Sequence, residues 1–215
     1  MKRFLPSVAL LAAAVLARAD VVVVQKIDGG GQSGEQTIRV KGGKARCDIG
    51  GAVSVIFDRE TGETTTLSHA QRGTVTLSPE ANRAMLEKMQ KARGSTEPPA
   101  LIPTGKKEKI GEYQCEIFTA ELGNVKVTYW LAKDFPQLQT FLSHLDVLES
   151  SPLAGAKGGV APRTKDLPGM PIKVLMDMGG QKVTVTTLSA KEENVDPSIF
   201  KIPAGYKDLP SPPAP

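Results

Sequence analysis

Aromatic side chains are scarce in this chain, with one Trp, three Tyr and six Phe in 215 residues. Surfaces that stack single-stranded nucleic acid are built from such rings, so a surface of that class is not expected. Histidine and cysteine are scarcer still, at two each. Neither His69 nor His144 has a second His or Cys at ligand spacing, which argues against a metal centre. Each reads as a solvated polar residue. No apolar run beyond residue 19 is long enough to cross a bilayer. A helical crossing takes about 20 residues. Heptads and Gly-X-Y repeats are also missing, so coiled-coil and collagen-like classes are out. Gly and Pro, by contrast, are plentiful at 21 and 16, which points to many turns rather than long helices. With 40 % hydrophobic and 23 % charged residues, the chain can build a packed core and is not disordered throughout.

Residues 1–19 have the form of a cleavable secretory signal: basic Lys2 and Arg3, an apolar Phe4–Leu16 stretch, and Ala17-Arg18-Ala19 as the cleavage site. No Cys stands near that site to take a lipid. Without Lys2, Arg3 and Arg18 the 27 basic residues fall to 24 against 23 acidic, a net of +1. The basic character of the whole chain belongs largely to its leader and gives no ground for a nucleic-acid or anionic-membrane partner. Export would place Cys47 and Cys115 in an oxidising compartment. Two readings stand for them: a disulfide closing a long loop, contributing about 4 kcal/mol, or two buried thiols on different strands.

The remainder reads mostly as β. Short alternating runs at Val21–Ile27, Glu35–Val40, Lys44–Ile49, Val53–Phe57, Thr64–Ser68 and Thr74–Leu77 are split by Gly-rich turns. This is the pattern of an antiparallel meander. A helix then starts at Pro79 behind a Ser78 cap and ends at Gly94. Strands resume at Lys106–Ile110, Tyr113–Ala120 and Val125–Ala132. A second helix is expected over Phe135–Glu149 with Asp134 as its cap, its apolar stripe formed by Leu138, Phe141, Leu142, Leu145 and Leu148. Residues 151–167 lack periodicity and read as a long loop. A last hairpin follows, Ile172–Met178 with Lys182–Leu188, then a single turn at Asp196–Phe200. The fold expected is mainly β (α+β): one large curved antiparallel sheet, or half-open β-barrel, of about 10–11 strands, with two helices covering its concave face. The expected division is a signal peptide over 1–19, one half-barrel domain over 20–208, and a Pro-rich disordered tail over 209–215.

Four phrases of the sequence carry a family resemblance: Thr104-Gly105-Lys106-Lys107-Glu108-Lys109-Ile110-Gly111-Glu112-Tyr113-Gln114-Cys115-Glu116, Val127-Thr128-Tyr129-Trp130-Leu131-Ala132-Lys133, Leu167-Pro168-Gly169-Met170-Pro171-Ile172-Lys173, and Phe200-Lys201-Ile202-Pro203-Ala204-Gly205-Tyr206. Together they resemble an uncharacterised group of exported bacterial proteins with a domain of unknown function, similar in layout to the LolA/LolB lipoprotein carriers. The resemblance implies a half-open barrel whose cavity holds acyl chains. It implies no specific acyl-binding residue, because none of those carriers' residues can be matched here.

Catalytic patterns are weak. In Ser143-His144-Leu145-Asp146, adjacent helical residues point in different directions, and no nucleophile elbow accompanies them. The glycines of Asp28–Gly34 lack a Gly-Lys-Ser/Thr ending, so they mark a turn rather than a phosphate loop. Lys106, Lys107 and Lys109 suit an edge strand. No cofactor fingerprint is present, and no enzymatic activity is expected. Methionine is more informative, since it adapts to varied apolar shapes. Met85, Met89, Met176 and Met178, with Leu138, Phe141, Leu142 and Leu145, are the candidate lining of a hydrophobic ligand cleft. The function expected is that of an exported, monomeric, periplasmic or secreted binding protein for a lipid or lipoprotein acyl chain. The alternative is a cell-envelope interaction or stress-associated protein with a filled core and no small-molecule ligand.

Overall fold

The computed structural model describes residues 20–93, 99–122, 125–151 and 162–210. The expected signal segment, the tail beyond residue 210 and most of the 151–167 loop lie outside them. Twelve strands form one sheet: β1 (Val21–Gly29), β2 (Gln32–Lys41), β3 (Lys44–Ile49), β4 (Val53–Asp58), β5 (Thr64–Ser68), β6 (Gly73–Leu77), β7 (Ile102–Ile110), β8 (Tyr113–Leu122), β9 (Val125–Ala132), β10 (Met170–Met178), β11 (Gln181–Glu192) and β12 (Lys207–Asp208). Their spatial order is β12-β6-β5-β4-β3-β2-β1-β11-β10-β9-β8-β7. Every pairing is antiparallel except that of β12 with β6.

The first strand therefore sits in the middle of the sheet, between β2 and β11. The Val21-Val22-Val23 run at its start is buried throughout. The turn after β1 needs glycine. Gly29 adopts φ +113°, and a Cβ there would collide with the Lys182 carbonyl oxygen. Only a residue without a Cβ takes that conformation at no steric cost.

Helix α1 (Pro79–Arg93) begins where Ser78 Oγ accepts from the Ala81 amide at 3.3 Å, the bond expected of a helix cap. It covers the β5 end of the inner face, where Thr64 lies directly opposite the core residue Phe57. Its one buried described side chain is Asn82, whose amide donates to the Gly62 carbonyl at 2.7 Å and to Thr64 Oγ1 at 3.0 Å. Helix α2 (Leu138–Leu145) does cover the sheet, and it starts three residues later than the sequence suggests. Pro136 disfavours helical geometry at Phe135, and the chain enters through Gln137 at φ 52° without a side-chain cap. After Leu145 it tightens into a 3-10 turn, Asp146–Ser150. Phe135 and Phe141 meet edge to face at 5.0 Å, a favoured geometry for paired rings. With Leu145 and Leu148 they fill one apolar cluster against β1–β4 and β8–β10. Leu142 belongs to a second cluster with Phe118, Val127, Tyr129, Leu131 and Leu167.

Cys47 and Cys115 are both buried and no disulfide joins them. β3 and β8 lie six strand spacings apart in the sheet, roughly 29 Å along its surface at about 4.8 Å each. The sheet curls around α2, so both thiols border one cluster. Each is hydrogen-bonded on its own side: Cys47 Sγ to Gln36 Oε1 and Cys115 Sγ to the Tyr113 carbonyl, both at 3.8 Å. Burial above all, with the charge of Asp134, pushes the Cys115 thiol up. It stays protonated and is a poor partner for exchange.

On the convex side the C-terminal segment forms a strap. Ser54, Ile56, Leu67 and Thr74 face away from the main core, yet all are buried. The Leu209 amide donates to the Thr74 carbonyl at 2.7 Å, and Thr74 Oγ1 donates to Asp208 at 2.7 Å. Leu209 lies so close to Gly73 that a Cβ there would collide with its side chain. Residue 209, expected in a disordered tail, is thus docked. β7 is the opposite edge of the sheet, and its lysines are exposed.

Candidate functional site

A cavity of about 110 Å³ opens on the concave face, between the inner side chains of β1, β2 and β9–β11 and a cap made by Leu145, Pro162, Thr164 and Leu167. Strand periodicity builds its walls, because alternate residues share one face. Val23 and Gln25 come from β1, Ile38 and Gln36 from β2, and Val127 and Tyr129 from β9; Val174 and Met176 come from β10. No charged side chain lines it among the described residues. An engineered apolar cavity of about 150 Å³ accepts benzene, so this volume seats a compact apolar group or a short stretch of chain. Tyr129 is 5 % exposed, and burial drives its phenol far above the ordinary range, so the hydroxyl stays neutral.

One end of the cavity is polar. Thr187 Oγ1 donates to the Pro171 carbonyl at 2.9 Å, Gln25 Nε2 to Thr187 Oγ1 at 3.4 Å, and Gln36 Nε2 to Gln25 Oε1 at 2.6 Å. Cys47 closes the row on Gln36 Oε1. The ladder crosses five adjacent strands: β10, β11, β1, β2 and β3. A bulge makes it possible. The β1–β11 register slips between Val24 and Gln25, placing Thr187 opposite Gln25. Leu188, the extra residue, is turned out to solvent at 51 % exposure, as the unpaired residue of a bulge can be.

The residues assigned to the cleft from sequence are only partly gathered here. Met176 and Leu145 line the cavity. Leu138 packs against both apolar clusters. Phe141 and Leu142 are 4 % and 2 % exposed and lie in the packed interior rather than on the cavity wall. Met85 on α1 and Met178 at the end of β10 are exposed, and neither reaches the cavity. The Met89 side chain lies outside the described residues. Sequence reading missed Gln25 and Gln36. The signal was present: the hairpin register across Gly29 and Gln32 pairs Gln25 with Gln36 on the face of Val23 and Ile38.

A second polar cluster lies under the strap. Arg46 donates to Asp48 Oδ1 at 2.7 Å, to Ser54 Oγ at 2.9 Å and to the Ile199 carbonyl at 2.6 Å. Ser54 Oγ is 2.5 Å from Asp48 Oδ1 and 2.7 Å from His69 Nε2, while His69 Nδ1 is 2.6 Å from the Tyr206 hydroxyl. His69 is therefore not a solvated residue; both ring nitrogens are engaged. Asp48 can only accept, so the Ser54 hydroxyl donates to it and accepts a hydrogen bond from the His69 Nε2–H. Serine, histidine and aspartate meet here in the wrong order for a nucleophile. The carboxylate holds the hydroxyl instead of the imidazole, the serine is fully buried, and its lone pairs are occupied. His144 Nδ1 is 2.8 Å from the Thr140 carbonyl. Among the described residues no group of three or more His, Cys, Asp or Glu could hold a metal ion. No helix there is long and apolar enough to cross a membrane.

No curated protein matches the chain. Its fold is similar to that of PNGF-II at 12 % identity and TM-score 0.46, over 89 % of this chain and 31 % of that one. The chain thus spans about a third of the length of PNGF-II. It is also similar to the Mycobacterium tuberculosis lipoprotein LppX, at 14 % identity and TM-score 0.42, over 83 % of this chain and 88 % of that one. MucB in complex with MucA(peri) gives 10 % identity and TM-score 0.40, over 87 % and 56 %. A family match covers residues 23–206, and the chain belongs to DUF4412, a domain of unknown function.

Proposed function

We propose that this protein is an exported, non-enzymatic carrier that holds a hydrophobic ligand, the acyl chain of a lipid or lipoprotein, in the cavity on its concave face. The observation that supports this reading is the cavity itself, walled by apolar inner-face side chains of five strands and left unfilled by α2. Export rests on the form of Met1–Ala19. Each methylene taken out of water contributes about 0.8 kcal/mol, so a few buried carbons give useful affinity without any directional contact.

The test begins with native mass spectrometry of protein purified without detergent, alongside uptake of an apolar fluorescent probe. A reproducible lipid adduct and saturable probe binding are expected. Met176→Asp puts a carboxylate on the cavity wall at a half-buried position. Probe binding should weaken by at least about tenfold. Leu188→Asp, on an exposed bulge, should leave it unchanged. A clean unliganded mass with no probe uptake, or equal binding by a folded Met176→Asp variant, would favour the envelope-interaction reading instead.

A further inference from the structure

The glutamine ladder runs in one direction, and that direction constrains the ligand. The Pro171 carbonyl can only accept, so the Thr187 hydroxyl must donate to it. Its proton spent, the Thr187 oxygen accepts, which turns the Gln25 NH2 toward it. Gln25 Oε1 then faces Gln36 and fixes that amide with its NH2 forward. Gln36 Oε1 is left to accept from the Cys47 thiol. An obligate acceptor at one end thus settles both amide orientations. The side-chain oxygens of Thr187, Gln25 and Gln36 each accept one bond already, whereas a glutamine amide carries two N–H groups and the ladder uses one from each. A buried oxygen with one bond made is tolerated better than an N–H with none, so the unmet need at the polar end of the cavity is for an acceptor.

Resting on the carrier reading, we infer that the cavity selects the neutral carbonyl end of an acyl chain, as in an ester or amide, seated against the second N–H groups of Gln25 and Gln36. An alkylammonium brings no acceptor to those N–H groups, and no Asp or Glu among the described residues lines the cavity to balance its charge. An ionised fatty acid brings an acceptor, but no Lys, Arg or His among the described residues lines the cavity to balance its charge, and burying an uncompensated carboxylate is costly. A plain alkane gains the apolar walls only. The ligand class is therefore an acylated lipid or acylated protein rather than a free fatty acid.

The experiment is displacement of the apolar probe at neutral pH by methyl octanoate, octanoate, octylamine and n-octane. Methyl octanoate should displace it at about tenfold lower concentration than n-octane, the effect of two modest hydrogen bonds. Octanoate and octylamine should fall behind the ester. The Gln25→Leu/Gln36→Leu double variant should lose the ester preference, so that methyl octanoate and n-octane displace whatever probe it binds at similar concentrations. Gln36→Glu should reverse it toward octylamine. Equal displacement by ester and alkane in the wild-type protein would overturn the inference even if no variant folds, while leaving the carrier reading standing. Octanoate ahead of the ester would also overturn it, in favour of a free fatty acid. Failure of the probe to bind at all would instead remove the carrier reading.

Discussion

Replacing Leu142 with Asp should abolish the cooperative fold at room temperature. Leu142 is 2 % exposed and sits among Phe118, Val127, Tyr129, Leu131 and Leu167. Truncating such a side chain to Ala costs about 2–5 kcal/mol through lost transfer energy and the cavity left behind. A carboxylate adds several kcal/mol more, because no cation or donor is placed to receive it. The sum rivals the ~5–15 kcal/mol that holds a typical domain together. Read from sequence, Leu142 belongs to the ligand cleft, and Asp there empties the site while the fold survives. The structure places the residue beneath the site instead, so the outcome moves from binding to stability. Urea denaturation followed by circular dichroism checks this. A Leu142→Asp transition within about 2 kcal/mol of the parent, less than the usual truncation loss, would show that α2 is not packed as described.

Arg46→Ala should be the second large loss, about 2–3 kcal/mol, because it removes charge-assisted hydrogen bonds to part-buried groups while Arg39 still faces Asp48. Arg46 is 14 % exposed and holds three groups at once: Asp48, Ser54 and the Ile199 carbonyl of the strap. A lysine cannot reproduce that planar fork, so Arg46→Lys should recover little. Hydrogen exchange should show residues 199–209 losing protection before the rest of the sheet, and uniform loss would argue against a strap. Acid should act on the same cluster. Burial pushes the Asp48 carboxyl up, but hydrogen bonds from Ser54 and Arg46, with the charges of Arg46 and Arg39, outweigh it and hold the group below its ordinary value. A carboxyl whose folded pKa lies below its unfolded value stabilises the fold fully above the unfolded value, about 3.9. That stabilisation drains as pH falls through the folded value. Stability should therefore fall below about pH 4, and Asp48→Asn should flatten part of that limb. An identical acid limb in both proteins would place the sensitivity elsewhere.

Local rules make much of this fold legible. β3, β5 and β9 begin and end where alternation and glycine put them, because a half-buried strand leaves a period-2 record that a Gly turn interrupts sharply. α2 is visible as a stripe, but its start is not. Asp134 resembles a cap, and the constraint that Pro136 lays on Phe135 outranks it. β12 is illegible: two residues carry no period, and only the docking of Leu209 on Gly73 defines them. The cluster under the strap is hidden for a related reason. Ser54, His69 and Tyr206 are each ordinary in their own segments, and their meeting depends on where the far end of the chain returns. Met85 misleads because helical spacing identifies an apolar side without saying whether anything covers it. Gln25 and Gln36 do not stand out because a glutamine in a strand ordinarily faces water; only the pairing of two on the inner face makes them a site.

The central position of β1 has a consequence for how the chain acquires this structure. Val21 pairs with Glu192, so the first strand to be synthesised waits for one of the last. The sheet consists of two meanders, β1–β6 and β7–β11, each made of sequence neighbours and able to form early. The seam between them closes only after nearly the whole chain is available, because loop-closure entropy must be met before distant pairing contributes anything. Folding should accordingly be slow for a chain of this size, with seam closure as the late step. Until then the facing edges of β1 and β11, rich in Val and Thr, stand unpaired and are the surfaces most prone to join a second chain. A polypeptide that cannot seal its sheet until its last strands emerge also stays pliable enough to be threaded through a pore, which is the state that the proposed export would require of it.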